Sequence, residues 1–381
     1  MASPVVVTTE RAHRPEIADI LRDHAHGLDL TSPQARAVRD IVACRTERLG
    51  GHLEVCPTCS FARRSYNSCR NRHCPKCQIL KQELWAEAQE RILLPVLYFQ
   101  IVFTIPGELH PFFRRAAAVC LQLLFEAVSE TLTELARSRL KAEIGFTAVL
   151  HTWTQILRFH PHIHCVVPAG GLALNLLKWV STSRSFFLPI GPLREMFRGK
   201  LLHKIEQALR GGKIPGDLAK GLALLKRASK KEWKVYAKPP LAGPHHVVRY
   251  LSRYVHRIAI SNSRILAYDG RDVTFRYKDR ADNNKVKPLT PSGAKFSRRF
   301  LQHVLPPRFV RIRHYGLLAA RRRKDLALCR RLLGAKLAAK PNNDQTWVHT
   351  FIRLFGENPL LCPACKVGIL EVREVIPPMR T

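Results

Sequence analysis

Phe159-His160-Pro161-His162-Ile163-His164-Cys165-Val166-Val167-Pro168 decides how the chain is read. In a strand, successive side chains alternate faces, so His162 and His164 point one way and Ile163 the other, with Cys165 to Val167 as an apolar body. Two imidazoles on one face are half of a metal site. With 17 histidines in the chain, two also fall two apart by chance, so the rest of the sequence has to supply a third ligand and a group for the ion to act with.

The neighbouring segments read as partner strands. Leu97 to Pro106 is rich in aromatic and β-branched residues, and Phe146 to Thr154 forms a second strand that a short turn joins to the histidine strand, which Gly170-Gly171 ends. Trp233 to Lys238 is a fourth strand stopped by Pro239-Pro240, and Arg264 to Tyr268 with Val273 to Tyr277 makes a hairpin around Asp269-Gly270. Helical spacing is expected over 31–49 after a Thr-Ser-Pro start, over 80–94 before Pro95, from Pro111 to about Leu140, over 192–231, after Gly243-Pro244, and in part over 296–333. The order predicts an α+β fold: an antiparallel sheet of about five strands with packed helices, preceded by a small zinc-binding domain. The expected division is 1–95 for a helix plus the zinc module, 96–335 for the catalytic domain with its basic end, and 336–381 for a tail.

Composition narrows the partner. Lys and Arg number 63 against 29 Asp and Glu in 381 residues, a formal charge of +34, which favours a polyanion, nucleic acid before an acidic membrane face. No apolar run approaches the ~18 residues of a membrane span, and the N-terminus lacks the apolar core of a secretory signal. A cytoplasmic setting follows, in which the 11 cysteines are metal ligands before they are disulfides.

Eight soft ligands fall between Cys44 and Cys77. Cys56-Pro-Thr-Cys59 and Cys74-Pro-Lys-Cys77 are paired knuckles, each presenting two thiolates from a tight turn, and are expected to share one structural zinc. Cys44, His52, Cys69 and His73 form a second zinc site or are packed and free; one or two zinc ions are therefore implied. Arg63, Arg64, Arg70 and Arg72 lie among these ligands and fit phosphate contacts on DNA, with a protein-binding zinc ribbon as the alternative. Arg321, Arg322 and Arg323 belong to a second basic stretch with the same reading. Cys362-Pro-Ala-Cys365 is a knuckle without a visible partner pair.

The helix after Pro244 carries the reacting group. At ~100° per residue, His246, Tyr250 and Tyr254 share one face, Val247, Leu251, Val255 and Ile258 form the stripe that packs on the sheet, and Arg249, Arg253 and Arg257 flank the tyrosines. Two tyrosines at the rim of a core helix are commonly only that. Here the cations lower the cost of a phenolate, whose ordinary pKa is about 10, and bind phosphate. Attack on a phosphodiester also needs a Lewis acid, which His162 and His164 would hold with His151, or else Gln155, from the adjacent strand; the ion is Mg or Mn.

His162-Ile163-His164 resembles the histidine-hydrophobe-histidine motif of the HUH endonucleases, and Tyr250-x-x-x-Tyr254 the tyrosine pair of their two-tyrosine members. Together with SYNSCRNRHCPKCQ, HPHIHCVVPAGG and YLSRYVHRIAISN, the chain resembles the transposases of rolling-circle insertion sequences of the IS91 type over roughly residues 30 to 330. The resemblance implies an HUH-like sheet and a DNA strand transferase that nicks and rejoins single strands at element ends. It also implies a 5'-phosphotyrosine link, a free 3'-OH, and Tyr250 and Tyr254 acting in turn. A plasmid relaxase or replication initiator shares this chemistry, and a non-catalytic DNA-binding protein shares the scaffold.

Overall fold

The computed structural model describes residues 14–77, 84–85, 93–183, 187–241, 247, 259–335 and 347–379. The chain opens with α1 (Ile17–His24) and α2 (Ser32–Ala43). The second starts where expected: the Thr31 amide donates to Gln34 Oε1 at 3.0 Å and a proline sits in the first turn, satisfying donors that a helix start otherwise orphans. A hairpin of β1 (Gly51–Val55) and β2 (Ala62–Tyr66) then carries the first cysteine knuckle in its loop.

The central part runs β3 (Tyr98–Thr104), α3 (His110–Arg115), α4 (Ala117–Leu140), β4 (Ala142–Glu143), β5 (Gly145–Trp153), β6 (Phe159–Pro168), β7 (Gly170–Ala173), β8 (Trp179–Ser181), α5 (Ile190–Arg210), α6 (Leu218–Ser229) and β9 (Lys234–Leu241). After it come β10 (Ile265–Tyr268), β11 (Val273–Asp279), β12 (Lys285–Leu289), α7 (Gly293–Leu301), β13 (Ile312–Gly316), α8 (Arg323–Leu332), α9 (Trp347–Phe355) and β14 (Glu371–Ile376). The fold class is the α+β one expected, with a five-stranded antiparallel sheet in the order β13-β5-β6-β3-β9.

Strand alternation divides this sheet into two chemically different faces. Phe99, Ile101 and Phe103 of β3, Phe146, Ala148 and Leu150 of β5, and Ile163, Cys165 and Val167 of β6 join one core with Leu124, Phe125 and Leu132 of α4 and Phe197 and Leu201 of α5. Each of the Phe, Leu, Ile and Val side chains contributes roughly 1.5–3 kcal/mol on burial, so this face fixes the register. A one-residue slip would send the phenylalanines to the other face. With the register fixed, His151, His162 and His164 necessarily face away from α4 and α5.

Three expectations are corrected. The hairpin around Asp269-Gly270 does form, but β10 and β11 belong with β12 to a separate three-stranded sheet, packed through Phe275 against Phe296 and Phe300 of α7 and Ile17 and Leu21 of α1. The fifth strand of the main sheet is β13, from a stretch read as partly helical because its arginines masked the strand pattern. Residues 371–376 are likewise no separate tail, since β14 pairs antiparallel with β1 and completes a sheet ordered β14-β1-β2. Among the described residues no helix is long and apolar enough to cross a membrane.

Candidate metal centres and active site

His151 sits directly across from His162 in the β5–β6 ladder, and His164 lies two residues further along the same face. One ring nitrogen from each comes within 4.8 Å of the others. Their ring centroids are 4.8–5.5 Å apart, and Trp153 stacks on His151 at 4.9 Å. His151 and His164 are buried and His162 is half-buried.

The donor set fits a divalent ion. His162 Nδ1 lies 2.6 Å from the His160 carbonyl oxygen, which can only accept, so Nδ1 carries the proton and Nε2 keeps its lone pair. His164 Nδ1 contacts the Gln100 amide nitrogen at 2.8 Å, while Gln100 Oε1 is buried without a partner. Turning that amide over satisfies the orphaned oxygen with Nδ1–H and frees Nε2 of His164 in the same way. Burial first, then the neighbouring His151 and His162, holds His164 well below the usual imidazole range, so the ring is neutral and able to ligate.

A cavity of about 460 Å³ opens over the three rings. Arg158, Lys234, Lys278 and Arg280 line it, and its one acid among the described lining residues, Asp279, is paired with Lys287 at 2.8 Å. Gln155 lines the same cavity, and its backbone oxygen accepts from Arg264 at 2.6 Å. Tyr236 and Tyr277 line it too. The four cations and Gln100 escaped the sequence reading. For Gln100 a signal existed, the one strongly polar side chain within Leu97 to Phe103; the cations come from three separate segments, the β5–β6 turn, β9 and the end of β11, and carried none. Tyr250, Tyr254, Arg249, Arg253 and Arg257 lie outside the described residues. Val247, helical and fully buried, packs with Tyr98, Val149 and Val166 on the histidine face of the sheet.

The cysteines group differently from the expected pairing of Cys56 and Cys59 with Cys74 and Cys77. One cluster is Cys44, Cys69, Cys74 and Cys77; the other is Cys56, Cys59, Cys362 and Cys365, and in each the four sulfurs lie within 4.8 Å of one another. The reason is that the β1–β2 hairpin carries its knuckle to the β14 side, whereas Cys44 at the end of α2 and Cys74 share a buried cluster with Ile17 and Ile41. In the first cluster Cys77 Sγ is 3.4 Å from Cys44 Sγ and 3.6 Å from Cys69 Sγ. Hydrogen bonds from Cys44, Cys69 and Cys74 hold Cys77 far below the ordinary thiol range, the state that a cation stabilises. His52 and His73 enter neither cluster. His52 sits on β1 opposite Ser65 and Val375, and His73 Nε2 accepts from the Leu305 amide at 3.4 Å.

The expected phosphate-binding arginines divide as well. Arg63 is tied to Glu54 at 2.6 Å and to the Pro359 carbonyl at 2.9 Å, Arg72 donates to the Phe309 carbonyl, and Arg322 pairs with Asp325. Arg64, Arg70, Arg321 and Arg323 are exposed.

A family model described as a putative transposase matches residues 145–325, and one for a transposase zinc-binding domain of the IS91 type matches residues 16–105. The chain is 42% identical over 383 residues to the putative transposase y4qJ of Sinorhizobium fredii, covering 95% of each chain. It is 28% identical over 304 residues to the transposase for insertion sequence element IS801 of Pseudomonas savastanoi pv. phaseolicola, covering 76% of this chain and 71% of that one. No solved structure matches. With a zinc-binding domain ahead of a transposase domain in this order, the chain belongs to the IS91-type transposase family.

Proposed function

We propose that the protein nicks and rejoins single DNA strands at the ends of a mobile element, with Tyr250 and Tyr254 as nucleophiles. The observation that carries the reading is the trio His151, His162 and His164 on one sheet face, beneath a cavity rimmed by Arg158, Lys234, Lys278 and Arg280. Three imidazoles on one face would hold a divalent ion, with nitrogen donors favouring Mn over Mg, and the ion would supply Lewis-acid polarisation of the phosphate when bound. The rim cations attract and orient the strand.

In the reaction a tyrosine Oη attacks phosphorus as its proton leaves to solvent or a nearby base. The bond from phosphorus to the 3' oxygen breaks, and a 3'-OH departs after taking up a proton. The 5' phosphate stays on the tyrosine until a 3'-OH attacks it in the reverse sense and rejoins a strand. Arg249, Arg253 and Arg257 would offset the phosphate charge, and the second tyrosine would serve the other element end. The zinc module and the exposed Arg64, Arg70, Arg321 and Arg323 would grip DNA outside the reacting strand.

The test incubates the protein with labelled single-stranded element ends, with Mn or Mg and with EDTA, followed by denaturing electrophoresis. The expected product is a metal-dependent covalent adduct that persists in Tyr250→Phe and in Tyr254→Phe and vanishes in the double variant. Tyr236→Phe and Tyr277→Phe, at the cavity wall, should retain it. An adduct lost in either of these instead would move the nucleophile. Tight binding without any adduct, across ions and end sequences, would make the protein a non-catalytic binder, and nicking confined to plasmid origins would make it an initiator.

A further inference from the structure

We propose that Cys56, Cys59, Cys362 and Cys365 bind a second structural zinc that fastens the C-terminal strand to the N-terminal module. The zinc-binding family match ends at residue 105, so half of this ligand set lies outside it.

Sulfur spacing argues for an ion. Cys56 Sγ lies 3.8 Å from Cys365 Sγ and Cys59 Sγ 3.6 Å from Cys362 Sγ. Tetrahedral zinc with bonds of ~2.3 Å sets its sulfurs about 3.8 Å apart, whereas a disulfide draws them to ~2.05 Å.

The two knuckles are also built alike, although 303 residues separate Cys59 from Cys362. Both read Cys-Pro-x-Cys. Cys56 O accepts from the Ser60 amide at 2.9 Å and Cys362 O from the Lys366 amide at 3.0 Å. Cys56 N donates to Phe61 O and Cys362 N to Gly368 O, both at 2.8 Å. Ser60 and Lys366 both adopt φ of 59°. Each turn therefore offers its two sulfurs in the same geometry, and the turns face each other. Gly368 marks the closeness of the approach, since a Cβ there would collide with Cys56 Sγ, and its amide donates to Cys365 Sγ at 3.3 Å.

Packing alone gives the C-terminal strand little hold. Glu371 to Val375 of β14 are exposed, and the apolar cluster beneath the knuckles holds only Leu370 and a partly buried Phe61 besides the cysteines. One or two such side chains, even with the ladder to β1, offset only part of the backbone entropy lost in ordering an arm of some fifteen residues. A tetrathiolate zinc supplies the missing free energy, because ligands brought together only in the folded state make binding energy into folding energy.

The test measures zinc and free thiols per chain in the full-length protein purified under reducing conditions. Wild type should carry two zinc ions and Cys362→Ser/Cys365→Ser one. Cys365→His, which keeps four ligands, should retain two. Hydrogen exchange should show residues 371–376 protected in wild type and Cys365→His, and unprotected in the double serine variant. Should that variant fail to fold, wild-type stoichiometry and Cys365→His decide. One zinc in wild type, with Cys362 and Cys365 freely alkylated or found in a disulfide, overturns the proposal.

Discussion

At the residue scale the histidine face depends on buried side chains that do not line the cavity. Gln100 fixes the ring of His164, so Gln100→Ala should weaken divalent-ion binding by about 10- to 100-fold, measured by calorimetry, while the melting temperature moves far less. His303 should contribute to acid stability by a different route, one shared by His73, which burial also pushes down to about 3. Fully buried between Thr152 and the Leu157 carbonyl, His303 is pushed down to about 3, chiefly by desolvation. In the unfolded chain its pKa is the ordinary ~6.5, so below that pH the unfolded state binds the extra proton. The stability is full above about pH 6.5 and drains away as pH falls toward 3. His303→Gln should flatten the pH dependence of the melting temperature across that window; an unchanged slope would assign the acid sensitivity elsewhere.

At the element scale, β13 holds the edge of the main sheet beside β5, the strand of His151. It ends at Gly316, which has φ of 55° and sits against the Ile144 carbonyl so closely that a Cβ would collide. Gly316→Ala should therefore cost more than ~1 kcal/mol, read as a lower urea midpoint with unchanged slope. The same strand illustrates why part of the fold was hidden in the sequence. β3, β5 and β6 carry apolar side chains on both faces and are legible as buried strands. β13 is short, half-buried and set in an arginine-rich stretch, and only the free edge of β5 makes it a strand.

For the whole molecule, the charge of +34 makes DNA affinity strongly salt-dependent. Arg64, Arg70, Arg321 and Arg323 are exposed and should each account for ~0.7 of the slope of log affinity against log salt on single strands, whereas Arg63 and Arg322, engaged by Glu54 and Asp325, should act through stability. Binding titrations of alanine variants at several salt concentrations separate the two groups. A reduced slope in Arg322→Ala alone would reverse the assignment.

The sequence by itself determined the histidine strand, the presence of thiolate knuckles and the cationic character, because each is written in local spacing or in a sum over the chain. His151 as a third imidazole was also within its reach, since a hairpin sets neighbouring strands in register. Tertiary structure alone decided which cysteines stand together, which strand closes the main sheet, and that Gln100 and four scattered cations surround the histidines. Those choices join segments as far apart as Cys59 and Cys362, and only the packing of one face of a sheet against its helices selects among the many pairings that local spacing allows.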